Sequence, residues 1–224
     1  LLLVVSGLKG YICSVEDGSV IRTRSLAQDG GKSWIGHPTD PGVLLAVGHN
    51  EVTAYLWVDF GIVTSWSYSY DTCAPQPLVE QRQAYVSPVL KYATIAQDHR
   101  HALVHRPGCD LVVDLGMLEL VDGRPTYSHL HAHRVPLEVS DNVYISLGIL
   151  PGLRLVFFDE DLWVCTYSLL TPPPPGGFER HYFIPREWAN TLALKQSQIL
   201  EDGTLLCPRK DEVAVVMTGL LSGF

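Results

Sequence analysis

What most constrains this chain is how short its apolar runs are. Residues 33 to 70 read SWIGHP, TDPG, VLLAVG, HN, EVTAYLWV, DFG, IVTSWSYSY. Four apolar or alternating runs are separated by stops of two to four turn-forming residues. An amphipathic helix needs roughly ten or more residues of period 3.6, and none fits between these stops. Runs of this length joined by tight turns are the mark of one antiparallel sheet, here four strands in 38 residues.

The pattern recurs along the chain. GYICSV, EDGS and VIRTRSL read as a hairpin, because glycine at Asp17-Gly18 takes a positive φ without steric cost. YATIAQ, the turn DHR, HALVHRP, the break GCD, LVVDLGMLELV, DGR and PTYSHLHAHRVPLEV follow. Then come VYISLGIL, PG, LRLVFFDED and LWVCTYSLL, and finally RHYFIP, SQILEDGTLLCP and EVAVVMTGLL, with Asp202-Gly203 repeating the hairpin signal. A unit of strands and short turns thus repeats about every 40 to 55 residues, the spacing of radial β-sheet repetition. The expected fold is all-β, a degenerate partial β-propeller of about four blades. The alternative is a β-sandwich, which strands at this spacing also suit. Residues 1–224 are expected to form a single repeat region cut from a longer chain, and such a cut propeller is expected to aggregate in isolation.

Two segments depart from the pattern. TPPPPGG, residues 171–177, is expected to be a proline-rich loop, since consecutive prolines remove backbone donors and fix an extended chain. PREWANTLALKQ, residues 185–196, predicts a short helix: Pro185 suits a first turn, and Glu187 suits the positive helix end.

Charge narrows the partners. The net formal charge is −8, with 16 Lys and Arg scattered against 24 Asp and Glu. No basic stripe is present, which argues against nucleic acid and against an anionic membrane. The opening LLLVVSGLKG is too short for a membrane span and reads as a strand. Five cysteines, Cys13, Cys73, Cys109, Cys165 and Cys207, lie far apart without a C-x-x-C pair. They read as reduced, buried thiols of a cytoplasmic protein.

The chemistry-bearing residues are chiefly histidines. HRHALVH (99–105) and HLHAHR (129–134) hold six of the nine. Alternate strand residues share a face, so each cluster presents imidazoles in a row. Zinc takes three or four such ligands at about 2.0 to 2.3 Å. A metal-dependent enzyme using the clusters 99–105 and 129–133 is therefore the alternative functional reading. No fourth ligand and no second shell can be named from the sequence, and polar positions on strands and turns explain both clusters. The nucleophile elbow G-x-S-x-G is absent. GGKS (30–33) lacks the glycine of a phosphate loop, with Leu26 at that place, and reads as a turn. FDED (158–161) reads as a solvated turn rather than a cation site. Trp34, Trp57, Trp66, Trp163 and Trp188 are expected mostly to pack between sheets. No catalytic, cofactor-binding or metal-binding residue is assigned, and no cofactor.

The segment RHYFIPREWANTLALKQSQILEDGTLLCPRKDEVAVV resembles the closing part of fungal NACHT and WD-repeat proteins. There an F-(L/I)-P-x-x-W patch precedes a D-G-T-x-L-C-P hairpin and a final E-V-A-V-V strand. The matching residues are Phe183, Pro185, Trp188, Asp202, Gly203, Thr204, Leu206, Cys207, Pro208 and Val213 to Val216. DHRHALVH and SWIGHPTDPGVLLAVG resemble internal blades of such proteins less specifically. The resemblance covers the repeat array and not the nucleotide-driven switch, whose motif this chain lacks. It implies a non-enzymatic protein-interaction or sensor module, with a protein as partner.

Overall fold

The computed structural model describes residues 1–6, 9–26, 32–69, 93–96, 98–106, 109–118, 120–121, 124–125, 129–169, 177–188, 194, 196–209, 212–217 and 220. Its strands assemble into five principal sheets. Sheet I holds β1 (Leu2–Ser6), β2 (Lys9–Cys13) and β3 (Val20–Ser25). Sheet II holds β4 (Ser33–Gly36), β5 (Val43–Val47), β6 (Glu51–Leu56) and β7 (Ile62–Ser69). Next in the chain come β8 (Ala93–Ile95), β9 (His101–Arg106), β10 (Cys109–Asp114), a small hairpin of β11 (Leu120–Val121) and β12 (Arg124–Pro125), and β13 (His129–Arg134). Of these, β8, β9, β10 and β13 form sheet III. A single helical turn, α1 (Leu137–Ser140), leads to sheet IV, made of β14 (Ile145–Leu150), β15 (Arg154–Phe158), β16 (Trp163–Ser168) and β17 (Glu179–Phe183). Sheet V holds β18 (Gln198–Ile199), β19 (Leu205–Arg209) and β20 (Glu212–Val216).

The sheets stack face to face, and strand alternation decides which residues meet. On β5, Leu44 and Ala46 turn toward sheet I and join Ile12, Tyr55 and Phe60 in one core. Val43, Leu45 and Val47 turn the other way and meet Ala102, Val104, Leu111 and Val113 of sheet III. Leu103 and Val112, on the opposite face of sheet III, pack on Leu155, Phe157 and Cys165. Val156, Phe158 and Val164 then face Ile199, Leu205 and Cys207 of sheet V. Sheets with both faces covered carry continuous apolar strands, and β5 and β14 are buried along their whole length.

The inner strands define the axis of the stack. β4 touches β8, β8 touches β14 and β14 touches β18, so the first strand of each sheet lies beside the first strand of the next. This is the blade arrangement of a β-propeller, with three four-stranded blades between two three-stranded sheets. Gly148 makes one such approach possible: a Cβ there would stand 2.5 Å from Cγ2 of Ile199. β7 and β13, the rim strands of sheets II and III, pair in parallel through Ser67–His129, Tyr68–Leu130 and Ser69–His131, joining the two blades into one eight-stranded sheet.

Four of the turns use one device. Asp17, Asp59, Asp98 and Asp202 each accept the N–H two residues on, at 3.0, 2.6, 2.8 and 2.9 Å. The residue between is left-handed in every case: Gly18, Phe60, His99 and Gly203, with φ of 71°, 58°, 52° and 80°. Aspartate side chains that bond to their own backbone in this way fix a tight turn.

Three local expectations need correction. LVVDLGMLELV is not one strand: β10 ends at Asp114, whose carboxylate accepts from Gly116 N at 2.8 Å and caps a 3₁₀ turn over Leu115–Met117. GCD is not a break throughout, since Cys109 and Asp110 already belong to β10. The long apolar reading PTYSHLHAHRVPLEV divides, with β13 closing at Arg134 and α1 starting just after Pro136. Pro136 lacks the N–H a continuing ladder needs. In the expected helix 185–196, Arg186–Trp188 forms a 3₁₀ turn and Leu194 and Gln196 are helical; 189–193 and 195 lie outside the described residues. So do 170–176, which hold all four consecutive prolines and all of the expected loop 171–177 but Gly177.

Candidate functional site

The strand histidines of the two clusters share one sheet face, while His99 lies in the turn before β9. In sheet III, His105 lies opposite Asp110, Leu103 opposite Val112, and His101 opposite Asp114. Val112 in turn lies opposite His133, so His131 and His129 follow on the same side. Nothing in the sequence placed the clusters together; the intervening β10 does. It also keeps them apart, since two strand spacings amount to about 10 Å. Their nitrogens are engaged locally. His105 contacts Asp110 Oδ1 through Nδ1 at 3.1 Å and Thr94 Oγ1 through Nε2 at 3.3 Å. His49 donates to the His105 carbonyl and ties the β5–β6 turn to sheet III. His101 Nδ1 lies 2.7 Å from Asp98 Oδ2, and His129 Nδ1 lies 2.6 Å from Ser67 Oγ. His131 and His133 stand with ring centroids 4.9 Å apart on the exposed side of β13. Among the described residues, no group of three or more His, Cys, Asp or Glu converges as a metal site.

The turn FDED is where the sequence misled most. Asp159 is 2% exposed, not solvated. Its Oδ1 accepts from Asp161 N at 3.0 Å and Trp163 N at 2.9 Å. Its Oδ2 meets Arg180 Nη2 at 2.6 Å, and the same guanidinium reaches Asp161 at 3.7 Å and lies 6.0 Å from the Trp163 ring. The chain buries this carboxylate because it satisfies two backbone donors and a cation at once. Only the pairing of Arg180 on β17 with the β15–β16 turn reveals this, and no local sequence signal does.

Around this anchor lies a groove of about 520 Å³, lined by Glu138, Asp141, Asn142, Asp159, Glu160, Asp161 and Arg180. The turn of α1 forms one wall and the β15–β16 turn the other. Asn142 Nδ2 donates to the Glu138 carbonyl at 2.6 Å and fixes the α1 side. Five carboxylates face one guanidinium, leaving four formal negative charges in the groove.

Three thiols are described, and all lie in the cores. Cys13, Cys165 and Cys207 are buried and free. Burial, reinforced by the neighbouring Asp159 carboxylate, pushes the Cys165 thiol up to about 12. Burial raises Cys207 as well. Cys73 and the side chain of Cys109 lie outside the described residues. Trp66 is fully buried, while Trp34 on β4 and Trp57, in the turn just past β6, pack at the sheet I–sheet II boundary. Of GGKS, only Lys32 and Ser33 are described: Lys32 binds Glu51 Oε1 at 3.1 Å and Thr53 Oγ1 at 3.2 Å. Among the described residues, no helix is long and apolar enough to cross a membrane.

No protein-family profile and no curated protein matches the chain. Solved structures similar to it include the dihydro-heme d1 dehydrogenase NirN in complex with DHE, at 14% identity and TM-score 0.44, covering 96% of this chain and 40% of that one. PorZ of the type-IX secretion system of Porphyromonas gingivalis matches at 8% identity and TM-score 0.40, covering 96% and 27%. The WD40 domain of SCAP from fission yeast matches at 11% identity and TM-score 0.34, covering 97% and 52%. The chain thus spans between about a quarter and a half of each of these proteins. Likeness at this distance carries no statement about function. The blade arrangement rests on the stacking of the sheets themselves.

Proposed function

We propose that this chain is a non-enzymatic protein-interaction module of a cytoplasmic repeat protein, and that its acidic groove takes a cationic segment of a partner protein. The supporting observation is the excess of four negative charges held between α1 and the β15–β16 turn. The ion pair of buried Asp159 with half-exposed Arg180 gives that groove a fixed floor, so a partner's Lys or Arg side chains meet carboxylates already in place. The same charge repels nucleic acid and anionic lipid. The sensor role suggested by the tail's resemblance to fungal NACHT and WD-repeat proteins is the finer part of this proposal.

The test is calorimetric titration with a short oligolysine peptide, first at low and then at physiological salt. Binding at low salt should weaken steeply at about 0.15 M, where the screening length is near 8 Å. An Asp141→Asn, Glu160→Gln double variant should bind several-fold more weakly while melting normally. Unchanged binding by that variant would remove the groove from the proposal. Stoichiometric zinc in the purified protein would favour the histidine-based enzyme reading instead.

A further inference from the structure

β13 carries its three histidines on one side. His129, His131 and His133 are exposed and alternate with buried Leu130 and Ala132. The strand is not a sheet edge, since β10 pairs with it through Ala132, His133 and Arg134 and β7 through His129, Leu130 and His131. Its backbone is held from both sides, so the sheet sets the spacing of these side chains. The chain's nine histidines divide by what their rings touch. His37, His49, His101, His105, His129 and His181 each meet a protein partner through a ring nitrogen. Among the described residues, His99, His131 and His133 make no such bond. His99 lies in the turn before β9, whereas His131 and His133 face each other.

Residues two apart on a strand are rooted about 6.4 to 6.8 Å from each other. The ring centroids of His131 and His133 are 4.9 Å apart, with their planes tilted by 45°. The two rings therefore lean together without stacking. A metal would ask for this spacing. An imidazole nitrogen binds a zinc-like ion at about 2.0 to 2.1 Å, which puts the ring centre about 3.2 Å from the metal. Two such rings have centres about 4.5 Å apart when the nitrogens subtend a right angle, and about 5.2 Å apart at the tetrahedral angle. The observed separation falls between these limits. Turning each ring about its own axis is all that remains to aim one nitrogen of each at a shared ion.

We propose that His131 and His133 form a two-histidine chelate for a divalent late transition-metal ion, with Cu(II) bound most tightly and Ni(II) and Zn(II) less so. Imidazole nitrogen suits these ions, and their affinities for such a site follow that order around copper. Mg(II) and Ca(II), which take oxygen ligands, are not bound. Water completes the coordination, because two protein ligands supply only part of it. The paired backbone of β13 places both ligands in advance, so little ordering is left for the metal to impose. The site lies on a different strand and sheet from the acidic groove, and each stands or falls alone.

The test is calorimetric titration of the whole chain with copper(II), nickel(II) and zinc(II) chlorides, with magnesium and calcium chlorides as blanks. A chelate of two ligands exchanges its metal freely, so the ion is added and not expected to co-purify. His131→Asn and His133→Asn should each weaken Cu(II) binding at least tenfold, because a chelate cut to one imidazole is lost as a unit. His101→Asn, in the other cluster, should leave binding unchanged. Both β13 side chains are exposed, and a urea melt of each variant without metal checks that the fold is kept. Electron paramagnetic resonance of the Cu(II)-loaded wild type should show coupling to two imidazole nitrogens. Absence of binding, unchanged affinity in either β13 variant, or an equal loss in His101→Asn overturns the proposal. Zinc that survives desalting and is lost with His101→Asn also overturns it, in favour of the histidine-based enzyme reading.

Discussion

Arg180 Nη2 stands 2.6 Å from Asp159 Oδ2, yet the two side chains differ sharply in burial, at 45% and 2% exposed. The pair is therefore asymmetric. Asp159 also holds the N–H groups of Asp161 and Trp163, while Arg180 keeps contact with water.

Substitution should expose that asymmetry. Asp159→Ala strands two backbone donors and a cation, and should cost about 3 kcal/mol, at the lower end for breaking a buried pair. Arg180→Gln should cost about half as much, because the Asp159 carboxylate keeps the N–H groups of Asp161 and Trp163 and a glutamine amide can still donate toward it. Urea denaturation of both variants measures the difference. Equal losses would mean that the turn is held by charge alone.

His99 adopts a φ of 52° at an exposed turn. Left-handed backbone costs an ordinary residue about 1 kcal/mol that glycine avoids. His99→Gly should therefore raise stability by up to about 1 kcal/mol, less the extra entropy of the unfolded chain. The reverse change, Gly203→Ala at φ 80°, should lower the melting temperature. Phe60 shares the conformation, but it is fully buried beside Trp34, with ring centroids 6.3 Å apart. Phe60→Gly should destabilise by about 3 kcal/mol or more despite the relieved backbone.

His37 is 8% exposed, and burial holds its pKa below the ordinary histidine value, against the opposing pull of Asp40. Its Nδ1 accepts from the backbone N–H groups of Thr39 and Asp40 at 3.3 and 3.1 Å. The folded state thus binds a proton less readily than the unfolded one. The stability this contributes is complete above pH 6.5, the unfolded value, and falls away as pH drops from there toward the lower folded value. Thermal melts from pH 7.5 to 5.5 should show this fall. His37→Asn, which keeps an acceptor without a titrating group, should flatten the curve over that window.

With its thiol near 12, Cys165 carries almost no thiolate at neutral pH. It should resist iodoacetamide in the native protein and alkylate only on unfolding, read by mass spectrometry at that residue. Labelling of native Cys165 would show that the sheet III–sheet IV core opens readily.

How legible all this was in the sequence varies with the kind of signal. The strands of sheet II were readable because Val43–Val47 and Glu51–Leu56 are bounded by turn residues on both sides. DFG and DHR were readable as turns, although the left-handed Phe60 and His99 within them have no glycine signature; their aspartates carried it. The end of β10 was not readable, because LVVDLGMLELV stays apolar through a 3₁₀ turn that a long-range core, Leu115 and Leu118, holds in place. Asp159 was misread for the same reason. A carboxylate beside two others on a turn looks solvated until a strand 20 residues further on supplies Arg180. The histidine clusters were rightly placed on strands, but only the register of β10 shows them on a shared face and about two strands apart.

The parallel seam between β7 and β13 joins residues 62 positions apart in sequence. A simple row of blades touches only nearest neighbours and frays from its ends like a one-dimensional array. Here the seam welds two blades along their rims, so neither can open without the other. Sheets II and III should thus form one cooperative foldon at the centre of the chain, with sheets I and V unzipping from it at lower free energy. In hydrogen exchange, the amides of β5, β6, β9 and β10 should exchange together and only through global unfolding, whereas those of β1 and β20 should exchange through local opening.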